Sequence, residues 1–297
     1  MTTMDVRNAA LVDQAPARRS WWKALLADRG AMLALLVLTL IVLAAVFAPL
    51  LAPFDPNANS RAVMQPPAWS ERGNWQHILG TDGQGRDILS RILYGTRLTL
   101  LIALVAIGIG GVIGSGLGLL SSMYPRLDPW VMRLNDMMLS FPAILLGLAM
   151  VAVFGPGVWP IILALAVASI PDCARIARSI GIGVMSQEYI EAGRAVGLTD
   201  WTIFRKYLLR NSISSIMIFL SLRFGQVILI GAALSFLGLG ARPPASELGM
   251  MAAQGRDFLL FAPHIVAVPS VAIFIIVLCA NVTGDALRDV LDPRLKS

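Results

Sequence analysis

Six apolar runs dominate this chain, each reaching or approaching the roughly 20 residues an α-helix needs to cross a bilayer. They cover Ala31–Ala52, Leu98–Ser122, Met137–Phe154, Trp159–Ala177, Ile213–Leu239 and Ile265–Val282. In hydrocarbon, every backbone N–H and C=O must be satisfied within the protein, which leaves helices or a closed barrel. Barrel strands would alternate apolar and polar at every second residue, and these runs do not. The chain is 57% hydrophobic and only 14% charged, where soluble domains carry about 25% charged residues. The fold expected is an all-α integral membrane protein with six transmembrane helices. No soluble domain and no nucleotide-binding motif stands out, and the net charge of +6 does not require nucleic acid as a partner.

Basic residues mark the cytoplasmic side of a membrane protein. With an even number of spans, both termini lie on one side. Segments 1–30, 123–136, 175–210 and 283–297 then hold 16 of the 24 Lys and Arg, against 7 in the long loops 53–97 and 240–264. Both termini are therefore expected in the cytoplasm. The resulting division is a cytoplasmic segment 1–30, a first span 31–52, an outer loop 53–97 and a core 98–297. Within the core lie a cytoplasmic loop 186–211 and an outer loop 240–264. Trp21 and Trp22, among Arg18, Arg19, Lys23 and Arg29, suit a membrane-proximal anchor.

Local punctuation refines this plan. Pro142 should kink the third span. Gly110, Gly114 and Gly118 recur every four residues and clear one helix face for close approach by another helix. Asp82, Gly83 and Gly85 have a faint likeness to a calcium loop, but the later acidic ligands are missing. A tight turn leading into a helix is preferred, and no metal is assigned. Cys173 and Cys279 stand alone without metal or disulfide spacing. Asp136, Asp172, Arg223, Gln226 and Asn281 are polar in or beside the spans. Such residues are costly in lipid and tend to face a bundle interior or an aqueous path, so they are pathway candidates, with internal packing as the plainer role. Loop 240–264 is too mixed to span. It is expected at the interface, where Met250, Met251, Phe258 and Phe261 could dock an external protein.

Loop 186–211 is the one long polar interruption in the second half of the chain. On helices, Tyr189, Ala192 and Val196 share one face, and Trp201, Phe204 and Leu208 share another. Gly197 ends the first short helix, and Thr199 or Asp200 can cap a second. Ala192 and Gly193 allow close approach, and Glu191 is available to a basic partner. From the residues alone, a loop lying on the lipid surface and a docking element are equally good readings.

The segment EYIEAGRAVGLTDWTIFRKYLLRN resembles the EAA loop of ABC importer permeases, with Glu191, Ala192 and Gly197 matching the motif and Gly193 replacing its second alanine. Arg210 stands where the motif has proline. His77–Leu100, Leu234–Gly249 and Asn281–Arg294 resemble three signatures of the dipeptide/oligopeptide/nickel permeases, and the long first outer loop is similar to that of the C-type member of their permease pairs. This resemblance implies a non-catalytic permease subunit in the bacterial inner membrane. Its implied partners are a second homologous permease, two cytoplasmic ABC ATPases that use ATP and Mg, and an extracytoplasmic substrate-binding protein. The implied substrate is a di- or oligopeptide, with nickel or glutathione as alternatives. Glu191, Ala192, Gly193, Gly197, Leu198 and Trp201 are the implied ATPase-coupling residues. No cofactor is expected in the chain itself. The rivals are a secondary transporter without ATPases, which would leave the 186–211 loop without a role, and an intramembrane enzyme, for which no catalytic spacing is evident.

Overall fold

A computed structural model describes residues 28–291. The Trp21–Trp22 anchor and the Asp292-Pro293 end of the chain lie outside the described residues. The described residues form a helical bundle without named strands. The first span is α1 (Arg29–Val46), capped by the Asp28 carboxylate, which accepts from the Gly30 and Ala31 amides. It breaks at Phe47 just ahead of Pro49 and continues briefly as α2 (Ala48–Leu51). The second span is α3 (Ile88–Met123), 36 residues long. It starts ten residues before the expected boundary, because Asp87 acts as N-cap and accepts from the Ser90 amide at 2.8 Å.

The third span differs most from expectation. The loop proposed for 123–136 is largely helix α4 (Asp128–Leu139), and α5 (Ala143–Phe154) follows at a bend of 85°. Pro142 does not kink one continuous helix. It is the N-cap of α5, with ψ at 138°, and because proline disfavours helix in the residue before it, α4 ends ahead of it. Together the two short helices are apolar enough for a broken span. The fourth span is α6 (Val158–Met185), the fifth is α9 (Arg210–Phe236) and the sixth is α11 (His264–Leu291). Five helices thus qualify as spans by length and apolarity, and the bent pair makes six.

The centre of the bundle is the crossing of α3 with α6. A Cβ added at Gly110 would lie 2.5 Å from the Ala166 carbonyl oxygen, and at Gly114 and Gly118 it would press on the carbonyls of Ile170 and Ala174 more closely still. The glycine stripe therefore brings two backbones into contact, as its spacing suggested. Ile102, Ala106, Ile161, Leu165, Ile228 and Leu234 complete the core around this crossing. Large apolar side chains cover the outside, among them Leu36, Leu50, Val112 and Val153. That inversion of a soluble surface fits hydrocarbon as the outer solvent.

The middle of loop 240–264 does not lie on the surface, although its ends at 242–244 and 259–261 are exposed. Its helix α10 (Leu248–Gly255) is tucked between α9 and α11, with Leu248, Met250, Met251 and Ala252 all buried. Eight residues cannot span, yet they are apolar on nearly every side, so burial within the bundle is the favourable outcome. The buried Glu247 carboxylate makes this possible. It caps α10 by accepting from the Gly249 and Met250 amides, at 3.0 and 2.8 Å, and from the Thr99 hydroxyl at 3.1 Å.

Candidate functional site

Two features of the bundle combine polar chemistry with access. The first is the 186–211 segment at one end. Its first helix is α7 (Glu188–Ala195). At the C-terminus of α7, the Gly197 amide donates to the Arg194 carbonyl and the Leu198 amide to the Gly193 carbonyl, both at 3.0 Å. This is the Schellman arrangement, and it requires a left-handed residue at Gly197, whose φ is +82°. The accompanying apolar contact is also present, since a Cβ on Gly193 would meet Leu198 Cδ1 at 3.1 Å. Gly193 is therefore turned inward, where it seats Leu198, rather than being open to a partner as its size suggested.

α7 is anchored to the membrane helices by Ile190, which is fully buried with Leu119, Met123, Ala177, Ile203 and Leu208. Its other side is bare: Tyr189 is 42% exposed and Val196 79%. Glu191 and Ala192 are exposed beside them, and Trp201 is 68% exposed just beyond the turn. Trp201 stacks on Phe204, and Tyr189 on Tyr207, with ring centroids 5.9 and 6.0 Å apart. The rings stiffen the segment without covering it.

Beyond the turn, Thr199 caps α8 (Asp200–Thr202), which passes through a π-helical stretch, Ile203–Leu209, directly into α9. The second short helix foreseen in the sequence is thus the start of the fifth span, and helix runs unbroken from Asp200 to Phe236. Arg210 has ordinary right-handed helical geometry. A proline there would lack the N–H that the helix uses and would obstruct it.

The second feature lies halfway through the bundle. Asp172 is the fifteenth of the 28 residues of α6, and Arg223 the fourteenth of the 27 residues of α9. Arg223 Nη2 meets Asp172 Oδ2 at 2.7 Å, and Arg223 Nη1 donates to Gln226 Oε1 at 2.7 Å. The side chains of Arg223 and Asp172 are 18% and 35% exposed, and Gln226 is open. One turn along α6, Arg175 pairs with Asp136 of α4 at 2.9 Å. Residues three apart share a helix face, so the two ion pairs follow one line towards the α7 end. Asn281 packs against Gly225, beside Gln226. The structure therefore joins Asp172, Arg223 and Gln226, sets Asn281 next to them, and gives Asp136 a separate partner. Arg175 was missed in the sequence because it looked like an ordinary basic residue at a span end.

Removing one member of this central pair should show its cost. Arg223→Leu is expected to lower stability by about 1–3 kcal/mol, less than a fully buried pair because Asp172 is partly open. Adding Asp172→Asn should restore part of the loss. A thermal-shift double-mutant cycle on the detergent-solubilised chain measures this, and strictly additive losses would count against the pairing.

At the opposite end from α7, the sequence candidates for docking separate. Met250 and Met251 are buried in α10 and cannot form a docking surface. Phe258 is half-buried against Gly83. Phe261 is 76% exposed, and its neighbour Leu260, not singled out from the sequence, is 90% exposed. The 77–91 segment beside them is the tight turn preferred in the sequence. The Asp82 carboxylate accepts from the Gln84 and Arg86 amides and from Arg86 Nε. His77 and Ser90 hold the Asp87 carboxylate. Among the described residues, no group of three or more His, Cys, Asp or Glu could hold a metal ion.

A broken third span, a helix tucked into the bundle and an exposed helical segment at one end are the marks of this fold. The chain belongs to the family of binding-protein-dependent transport system inner membrane components, whose model matches residues 106–297. Residues 17–67 match the N-terminal TM domain of oligopeptide transport permease C. The Di/tripeptide transport system permease protein DppC of Pseudomonas aeruginosa is 40% identical over 281 residues, covering 94% of this chain and 93% of that protein. The Glutathione transport system permease protein GsiD of Pectobacterium atrosepticum is 41% identical over 280 residues, covering 94% and 92%. An inward-facing structure of the MetNI methionine ABC transporter shares the fold, with a TM-score of 0.59 at 23% identity, covering 69% of this chain and 98% of that one. The chain is thus a multi-pass inner-membrane permease of the ABC importer type.

Proposed function

We propose that this chain is one of two non-identical permeases in an ATP-driven importer of di- or oligopeptides, with the 186–211 end and both termini in the cytoplasm. The observation that carries the coupling role is the bare face of α7, Tyr189, Ala192 and Val196 with Glu191 and Trp201, fixed by a rigid glycine turn to a helix that continues as span five. Exposed aromatic and apolar groups clustered on a short helix and the turn after it suit insertion into a partner's groove. Two cytoplasmic ATPases using ATP and Mg would supply that groove, and Glu191 would meet a basic residue there. Because helix is continuous from Asp200 to Phe236, movement of α7 would pass to Arg223 at mid-membrane. The Asp172–Arg223–Gln226 cluster would line the pathway, with Asn281 beside it and Asp136 one turn nearer the cytoplasm. Leu260 and Phe261 would meet the extracytoplasmic binding protein.

Peptide is preferred as substrate because peptide and dipeptide permeases, including DppC of Haemophilus influenzae, recur among the relatives. Glutathione is itself a tripeptide, so the GsiD relatives favour the same chemistry. The test is uptake of radiolabelled dialanine, glutathione and nickel by the importer reconstituted with its ATPases and binding protein. ATP-dependent accumulation of dialanine is expected. Nickel uptake alone would overturn the peptide reading.

A further inference from the structure

Among the described residues, two fully buried arginines lie away from both α7 and the mid-membrane cluster. Arg86 and Arg91 are 4% and 1% exposed, yet they share a single carboxylate. Asp82 Oδ2 meets Arg86 Nε at 2.7 Å and Arg91 Nε at 3.6 Å. The nearby Asp87 carboxylate is spent on His77 and Ser90. Arg86 Nη2 reaches Gln254 Oε1 at 3.4 Å and Arg91 Nη1 donates to the Pro56 carbonyl at 3.1 Å, but Arg91 Nη2 is buried with no acceptor. An orphaned buried donor is costly, and Arg91 shares its one ion-pair partner with Arg86. Both residues line a cleft of about 340 Å³ at the α10 end, with Met251, Phe258 and Ile265 as apolar walls. Asp82, already engaged by both arginines, and Asp257, 79% exposed, also line it.

We propose that this cleft is a binding site for the terminal carboxylate of a free peptide, held by Arg91 and Arg86. The inference rests on the peptide reading of function given above. A carboxylate supplies the missing acceptor, and a guanidinium presents paired donors to it. Asp257 provides the acceptor for the ammonium group of a zwitterion. The apolar walls suit side chains of small peptides, as in pockets that combine a few polar groups with an apolar lining. The site lies at the α10 end, which is the outer end in the orientation proposed above, where a peptide released from outside would arrive first.

The assembled importer in nanodiscs, without ATP or binding protein, provides the test. Saturation-transfer NMR is run with dialanine and with dialanine amide as probes. Dialanine is expected to bind, and the amide at least tenfold more weakly, about the effect of losing one charge-assisted hydrogen bond. Arg91→Met should weaken dialanine by a similar factor. Because Arg91 also holds the Pro56 carbonyl, Gln254→Trp serves as a second variant that fills the rim and leaves Arg91 in place. Equal binding of peptide and amide, or dialanine binding unchanged by both variants, overturns the proposal. Absent dialanine contact, with Arg91→Met weakening capture of binding protein added in a separate arm, also overturns it and assigns the cleft to an acidic side chain of that protein. Dialanine uptake is followed in parallel. Uptake without cleft binding overturns this inference alone, whereas cleft binding without uptake supports it and overturns the peptide reading.

Discussion

Alanine at both Gly114 and Gly118 is expected to abolish the folded permease, while alanine at both Gly108 and Gly116 leaves it intact. All four glycines lie on α3, so helix propensity changes equally and even favours alanine. The difference is what a Cβ would meet. At Gly114 and Gly118 it strikes backbone carbonyls of α6 and the Cys173 and Ala177 side chains, whereas at Gly108 and Gly116 nothing lies within 4 Å. A backbone obstacle cannot rotate away, so the helices must separate along the crossing that centres the core. Overpacking costs about 1–3 kcal/mol per site, and two sites on one interface act together. Size-exclusion profiles and thermal unfolding of the solubilised chain measure the result. A monodisperse Gly114→Ala/Gly118→Ala variant of unchanged stability would show that α3 and α6 do not cross this way.

The second large effect concerns coupling. Glu191→Lys is expected to lower ATP-dependent uptake at least tenfold, about 1.4 kcal/mol or more in the coupled step, with the chain still inserted and folded. Glu191 is exposed and has no ion-pair partner within the described residues, so the substitution leaves the fold without an obvious cost. Its consequence falls on an external partner. Gly197→Val should act differently. It forces a β-branched residue into φ +82°, at about 1–2 kcal/mol, and loosens the turn that fixes α7. The reconstituted importer should then hydrolyse ATP with little stimulation by loaded binding protein. Normal uptake and normal stimulation in both stably inserted variants would remove the coupling role from α7.

The handle also shows how far local chemistry carries. Gly197 was legible as a helix stop because a glycine followed by a capping threonine marks a boundary. The inward role of Gly193 was not legible, because its smallness suits a partner's approach as well as a neighbour's side chain, and only the position of Leu198 decides. Tyr189 and Val196, read as one apolar face, are both exposed, and the buried side belongs to Ile190. Arg210 at the place of the motif's proline left the end of the second helix open. With an N–H at that position, the helix continues into span five.

What the residues alone determined is the solvent and the class of element. Runs of about 20 apolar residues admit only helices across lipid, because unbonded backbone groups are too costly there. Four-residue glycine spacing announced a tight helix contact, and four motifs in order from His77 to Arg294 announced the family. Tertiary structure decided everything that depends on which neighbour fills a space. It buried Met250 and Met251, since an eight-residue apolar helix gains most by entering the bundle. It broke the third span at Pro142 and paired Asp172 with Arg223 across 51 residues of sequence. It also left Arg91 with an unmet donor beside a cleft. Burial and pairing are properties of position in space, and a linear pattern fixes them only where its periodicity admits a single partner.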